Sequence, residues 1–166
     1  SLIFGSGTAS FINSTFADNQ SQSIVESDAN ITFVNSIFMD RIDLNESVSN
    51  VSIASDYSLF RYGDESFNLN YIKNFYWGPF NLKADPMFVD TLIQDYHLQK
   101  ESPAIGVGIG SLVLNGVTYT APEKDLDGNI RPGPAGSAPD LGIYESPYSS
   151  SAPSANQISD GLIDSI

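Results

Sequence analysis

Asp125-Leu126-Asp127-Gly128-Asn129 carries three oxygen-bearing side chains at alternate positions, the ligand type and density that a hard cation such as calcium takes. A twelve-residue calcium loop needs Gly at its sixth place and a bidentate Glu at its twelfth. Here Gly128 falls fourth and Gly136 twelfth. Asp125, Asp127 and Asn129 are the candidate metal ligands, and calcium is the one cofactor these residues suggest. The competing reading is an Asp/Asn/Gly turn braced by Arg131 pairing with Asp140 or Glu145. Turn chemistry alone accounts for such residue types, so that reading carries more weight.

His97 is the only histidine, which excludes a His-cluster metal site and leaves any catalytic dyad resting on one ring. Its setting, Asp95-Tyr96-His97-Leu98, alternates as a strand does, and no catalytic residue is assigned. Neither a Gly-rich phosphate loop nor a nucleophile elbow occurs. Arg41, Arg61 and Lys73 are too scattered to nominate as a base. Tyr76 and Trp77 are the candidate carbohydrate-binding pair, since flat aromatic faces suit sugar rings. The alternative is that they cover a core, and the neighbouring Phe67, Tyr71, Phe75 and Phe80 favour it.

With 20 acidic and 7 basic residues the net charge is -13, which argues against nucleic acid and against an anionic membrane surface as partners. No apolar run reaches membrane-spanning length, so membrane insertion is not expected. There is no cysteine, hence neither a disulfide framework nor a thiolate metal site. A length of 166 residues with 41% hydrophobic content is enough for one domain with a sizeable core.

The elements that must carry these residues are announced by a repeat. Thr8 to Asp18 and Asn30 to Asp40 share Phe, Asn, Ser, Phe and Asp at one constant offset, the mark of one coil of a β-solenoid. Phe11 should stack on Phe33. Asn13 and Asn35 should form an internal ladder at the bend after the strand. A looser third copy starts at Asn50, where Ser55 replaces the Asn. From Tyr62 to Phe80 the repeat is lost, and the aromatic residues there read as a flap folded on the solenoid. Beyond it, Leu112-Val113-Leu114 and Val117-Thr118-Tyr119 flank Asn115-Gly116, a strong hairpin signal. The Asn-X-Ser/Thr sequons at Asn13, Asn30, Asn45 and Asn50 read as a product of composition.

Resemblance enters through Asp125-Leu126-Asp127-Gly128-Asn129-Ile130-Arg131-Pro132 and Pro139-Asp140-Leu141-Gly142-Ile143-Tyr144-Glu145. Together with Asn81 to Asp90, Asp95 to Gln99 and Ser102-Pro103-Ala104-Ile105, they resemble the ending of secreted bacterial right-handed parallel β-helix proteins of the pectate-lyase-like group, which often carry a C-terminal anchoring or sorting region. The group has Asp after Ser-Pro-Ala-Ile, and Gly106 stands there in this chain. The resemblance implies an all-β fold, the C-terminal coils and capping segment of a right-handed parallel β-helix, in a secreted or bacterial cell-surface protein.

Three parts are expected: 1–80, β-helix coils with an aromatic flap; 81–145, a β-rich capping segment in which Arg131, Asp140 and Glu145 are structural; and 146–166, a Ser/Pro linker and the start of a following region. The expected function is non-catalytic, in extracellular glycan recognition or surface display. One alternative is a fragment of a polysaccharide lyase or glycoside hydrolase with its catalytic coils upstream, and another is a structural adhesin stalk. An exposed N-terminal coil near Leu2 to Phe16 would favour end-to-end self-association.

Overall fold

The computed structural model describes residues 7–19, 29–41, 50–67, 70 and 72–148. Leu2 to Phe4, Asn45, Tyr71 and most of the Ser/Pro run lie outside the described residues. The described chain is mostly β, and its organising principle is parallel pairing between repeats. β1 (Gly7–Ile12), β3 (Ala29–Val34), β5 (Val51–Asp56) and β7 (Ile72–Trp77) form one four-stranded sheet in that order. β2 (Thr15–Phe16), β4 (Ile37–Phe38), β6 (Leu59–Phe60) and β8 (Leu82–Lys83) form a second. Each repeat gives a long strand to the first sheet, bends, and gives a short strand to the second.

Register follows the sequence repeat. Phe11 pairs with Phe33, Thr15 with Ile37, and Phe16 with Phe38, all in parallel. Because side chains alternate across a strand, Ile31, Phe33, Ile53 and Phe75 face inward while Asn30, Thr32, Ser52, Ala54, Asn74 and Tyr76 line the outer face. Between the sheets, Phe16, Phe38 and Phe60 stack in a column with ring centroids 4.4 and 4.6 Å apart. Phe11 lies over Phe33 at 5.4 Å. Phe33, Phe38 and Phe60 are at most 1% exposed, and burying such a ring stabilises by about 1.5–3 kcal/mol.

The bend is set by backbone chemistry. Asn13, Asn35 and Tyr57 hold φ of 48°, 52° and 51°, the left-handed region that Asn tolerates best after Gly. The next residues, Ser14, Ser36 and Ser58, tie successive repeats together: the Ser14 and Ser36 amides donate to the hydroxyls of Ser36 and Ser58 at 3.3 and 3.1 Å.

Two expectations need correction. The third repeat runs in the same register as the second, with Ile31 opposite Ile53 and Phe33 opposite Ser55, so Tyr57 and not Ser55 takes the ladder position. Shifting a strand by two residues keeps its alternation intact, and alternation alone could not detect the slip. Nor is the aromatic stretch a flap. Ile72–Trp77 is the fourth strand of the first sheet, with Ile53 opposite Phe75 and Ser55 opposite Trp77. A bulge between the Val51 and Ser52 pairings leaves Lys73 as the extra residue.

Beyond the sheets, β9 (Phe88–Asp90) pairs antiparallel with β10 (Asp95–Leu98). β11 (Ser111–Leu114) and β12 (Val117–Thr120) form the expected hairpin, with Leu112 opposite Tyr119. Asn115 and Gly116 at its tip have φ of 51° and 78°, the positive values a two-residue hairpin turn requires. Among the described residues no helix is long and apolar enough to cross a membrane.

Candidate functional site

The outer face of β3, β5 and β7 carries the feature best suited to a ligand. A groove of about 620 Å³ runs over Asn30, Thr32, Ser52, Ala54 and Asn74 to Tyr76. In register, Asn30, Ser52 and Asn74 make one row across the strands, and Thr32, Ala54 and Tyr76 the next. The Asn74 amide donates to the Ser52 hydroxyl at 3.0 Å. Ala54 is the small residue between two larger ones, so the floor dips at the middle strand. Lys73 and Asn115 complete the rim. Although the chain holds 20 acidic residues, none lines this groove. It presents amides, hydroxyls, one ammonium and one phenol, a set that hydrogen-bonds sugar hydroxyls without strong charge.

Tyr76 and Trp77 do not share a platform. Adjacent on β7, they point to opposite sides of the sheet: Tyr76 is 43% exposed on the groove, whereas Trp77 packs inward against Phe60 with centroids 4.9 Å apart. Asn115 as a groove residue, and Tyr119 as its neighbour on Thr32, escaped sequence reasoning because the hairpin reaches the sheet only through tertiary packing. Lys73 reads as one of several scattered cations in the sequence, and the bulge at its position is not visible in local alternation.

The hairpin is held over the sheet by the Asn bends. Asn35, fully buried, faces the backbone of Ile109: its amide donates to the Ile109 carbonyl at 2.7 Å and its carbonyl accepts from the Ile109 N–H at 2.9 Å. Its amide also reaches the Asn13 side-chain oxygen at 3.2 Å. Asn13 in turn donates to the Asp140 carbonyl at 2.9 Å. The two Asn residues therefore lie one above the other, and the closing segment, Asp140 to Gly142, bonds to both. At 5% exposure, Asn13 is closed to a glycan.

The Asp125 to Glu145 region is bound up with itself. Asp125 accepts from the Asn129 N–H at 2.7 Å, the Asn129 side-chain amide at 3.0 Å and the Glu145 N–H at 2.8 Å. Burial would raise the Asp125 carboxyl, but these bonds outweigh it and hold it below the usual carboxylate range. Asp127 turns elsewhere, to His97 Nε2 at 2.9 Å. The three candidate calcium ligands thus do not converge, and among the described residues no group of three or more His, Cys, Asp or Glu is arranged to hold a metal ion.

Arg131 meets Glu145, not the Asp140 carboxylate: Nη1 lies 3.2 Å from Glu145 Oε2, with both side chains 1% exposed. Arg131 also donates to the carbonyls of Asp140, Gly142 and Ile143. Burial pushes the Glu145 carboxyl up to about 7 and lowers the Arg131 guanidinium from its ordinary value. The Asp140 carboxyl, also raised by burial, accepts from the amides of Gly106 and Ser146, each at 2.7 Å.

His97 stands between carboxylates. Nδ1 is 2.6 Å from Asp95 and Nε2 is 2.9 Å from Asp127, while the ring stacks on Tyr144 with centroids 3.9 Å apart. Partial burial would lower its pKa, yet the bonds to Asp95 and Asp127 prevail and raise it above the usual histidine value. With both nitrogens engaged by carboxylates the ring favours the imidazolium, which has no free lone pair to act as a general base.

No protein-family model, no curated protein and no solved structure matches this chain.

Proposed function

We propose that this chain is the closing portion of a right-handed parallel β-helix from a secreted or cell-surface bacterial protein, and that its outer sheet face recognises extracellular glycan without cleaving it. The helical winding is supported by two parallel sheets advancing together repeat by repeat, and by the strong preference of parallel crossovers for the right hand. The observation that carries the function is the carboxylate-free, amide- and hydroxyl-lined groove ending at Tyr76. Small ligand sites of this kind set a few placed polar groups beside an aromatic face. Non-catalysis is supported by the same lining: its titratable groups are Lys73 and Tyr76, and no carboxylate is among the lining residues to pair with them as acid or base.

The test is titration calorimetry with neutral malto-, cello-, xylo- and chito-oligosaccharides, on the chain and on Tyr76→Ala. At least one series should bind, Tyr76→Ala should weaken it about tenfold, and no new reducing ends should form. Absence of binding by every series, or binding indifferent to Tyr76, would overturn the assignment.

A further inference from the structure

We infer that the β11–β12 hairpin closes one end of this groove, so that the site takes the terminal disaccharide of a glycan and not the interior of a polymer lying along the sheet. The inference rests on the glycan reading of the groove and adds what that reading leaves open, which part of a chain enters.

The row Thr32, Ala54, Tyr76 crosses three strands, and at a spacing of about 4.8 Å per strand the distance between its ends is about 10 Å, roughly the length of a disaccharide. Were the row open it would continue to Ser10 on β1, which is opposite Thr32. It does not continue. Thr32 is 8% exposed although it points to the outer face, and Tyr119 is also 8% exposed, with its hydroxyl on the Thr32 hydroxyl at 3.4 Å. Tyr119 therefore stands on the floor at β3, and no residue of β1 lines the groove. Asn115, at the tip of the same hairpin, lines the groove together with Asn30 and Ser52 of the neighbouring row.

A wall selects only if it holds still, and the hairpin is anchored at its base. The Ala121 N–H donates to the Gly110 carbonyl at 2.9 Å, and the Gly108 N–H to the Pro139 carbonyl at 2.8 Å. Ile109 between them is clasped by the buried Asn35 amide. A polymer approaching along the sheet from β7 would pass Tyr76, cross Ala54 and meet Tyr119. One sugar could stack on Tyr76 and the terminal one occupy the dip at Ala54, its hydroxyls within reach of Asn30, Ser52 and Asn115.

The experiment measures affinity against chain length, disaccharide through hexasaccharide, in the malto-, cello-, xylo- and chito- series, with cyclomaltohexaose as a glucan that has no terminus. For the wild-type chain, affinity should change by no more than about twofold beyond the disaccharide, and cyclomaltohexaose should not bind. Tyr119→Ala removes the wall, and affinity should then climb with length. Asn115→Gly keeps the hairpin turn and tests the same wall without touching a buried residue, with a smaller climb expected. If wild-type affinity rises steadily to the hexasaccharide while remaining sensitive to Tyr76→Ala, the groove is open and this inference fails although the glycan reading stands. If nothing binds, the glycan reading itself fails.

Discussion

Replacing Asn35 by Ala should be among the most damaging single changes at a bend, and the cost can be assembled from its surroundings. The side chain is fully buried and makes bonds of 2.7 and 2.9 Å with the Ile109 carbonyl and N–H, and of 3.2 Å with Asn13. Its removal strands two backbone groups that the closing segment shields from water. Each stranded group costs about 1–3 kcal/mol, and partial burial places the pair near the low end, about 2–3 kcal/mol together. Ala at a φ of 52° adds about 1 kcal/mol of backbone strain. The total is about 3–4 kcal/mol. Asn35→Gly loses the same bonds but accepts the positive φ, so it should cost about 1 kcal/mol less than Ala. Urea unfolding should show lower midpoints in the order wild type, Gly, Ala, with slopes unchanged. A cost for Ala below about 1 kcal/mol, or a Gly variant weaker than the Ala variant, would refute the reasoning.

Two further outcomes concern pH. The folded Glu145 value of about 7 exceeds its ordinary 4.5, so its contribution to stability is fully present below 4.5 and is lost as pH rises through about 7. Arg131→Met removes the facing cation and raises that value further, so its deficit relative to wild type should be larger at pH 8 than at pH 5 in urea midpoints. His97 is also raised, above 6.5, so the stability it supplies is complete below pH 6.5 and declines as pH rises through the folded value. An NMR titration of the ring should place that midpoint above 6.5, and Asp127→Asn should lower it.

Much of the repeat was legible because it is written twice with the same residues: Phe11 and Phe33, Asn13 and Asn35, Ser14 and Ser36, Phe16 and Phe38. The third copy misled because Val51-Ser52-Ile53 alternates equally well in two registers. Ser58 and Phe60, which continue the Ser and Phe columns, were the residues that could have decided it. The fourth strand was hidden by larger substitutions. Phe75 and Trp77 stand where Ile53 and Ser55 stood, Lys73 is inserted as a bulge, and the bend is lengthened by Gly78 to Asn81. There the Asn81 side chain bonds Ser55 and Ser58, as the earlier Asn residues bond their neighbours. The hairpin was readable from Asn115-Gly116, but its place over the sheet depends on Tyr119 meeting a Thr far away in sequence. Asp127 likewise looked like one of three gathered ligands until the fold brought His97 to it. Local spacing supplies residue types, and only packing decides which of them share a partner.

The bonds from Asn13 to Asp140 and from the Gly142 N–H to the Asn35 carbonyl set an order of events during synthesis. Their partners leave the ribosome long after them, Asp140 following Asn13 at a separation of 127 in sequence. While the nascent chain grows, the early repeats can pair strand on strand, but the bends stay uncovered and the Gly108 N–H at the base of the hairpin lacks its Pro139 carbonyl. Contacts so distant in the chain form late and slowly, and meanwhile the half-assembled stack exposes strand edges and phenylalanine faces to its neighbours. The closing segment therefore acts as a completion signal. A chain cut short before Asp140 would keep most of its strands and lose the bonds that make them a finished object.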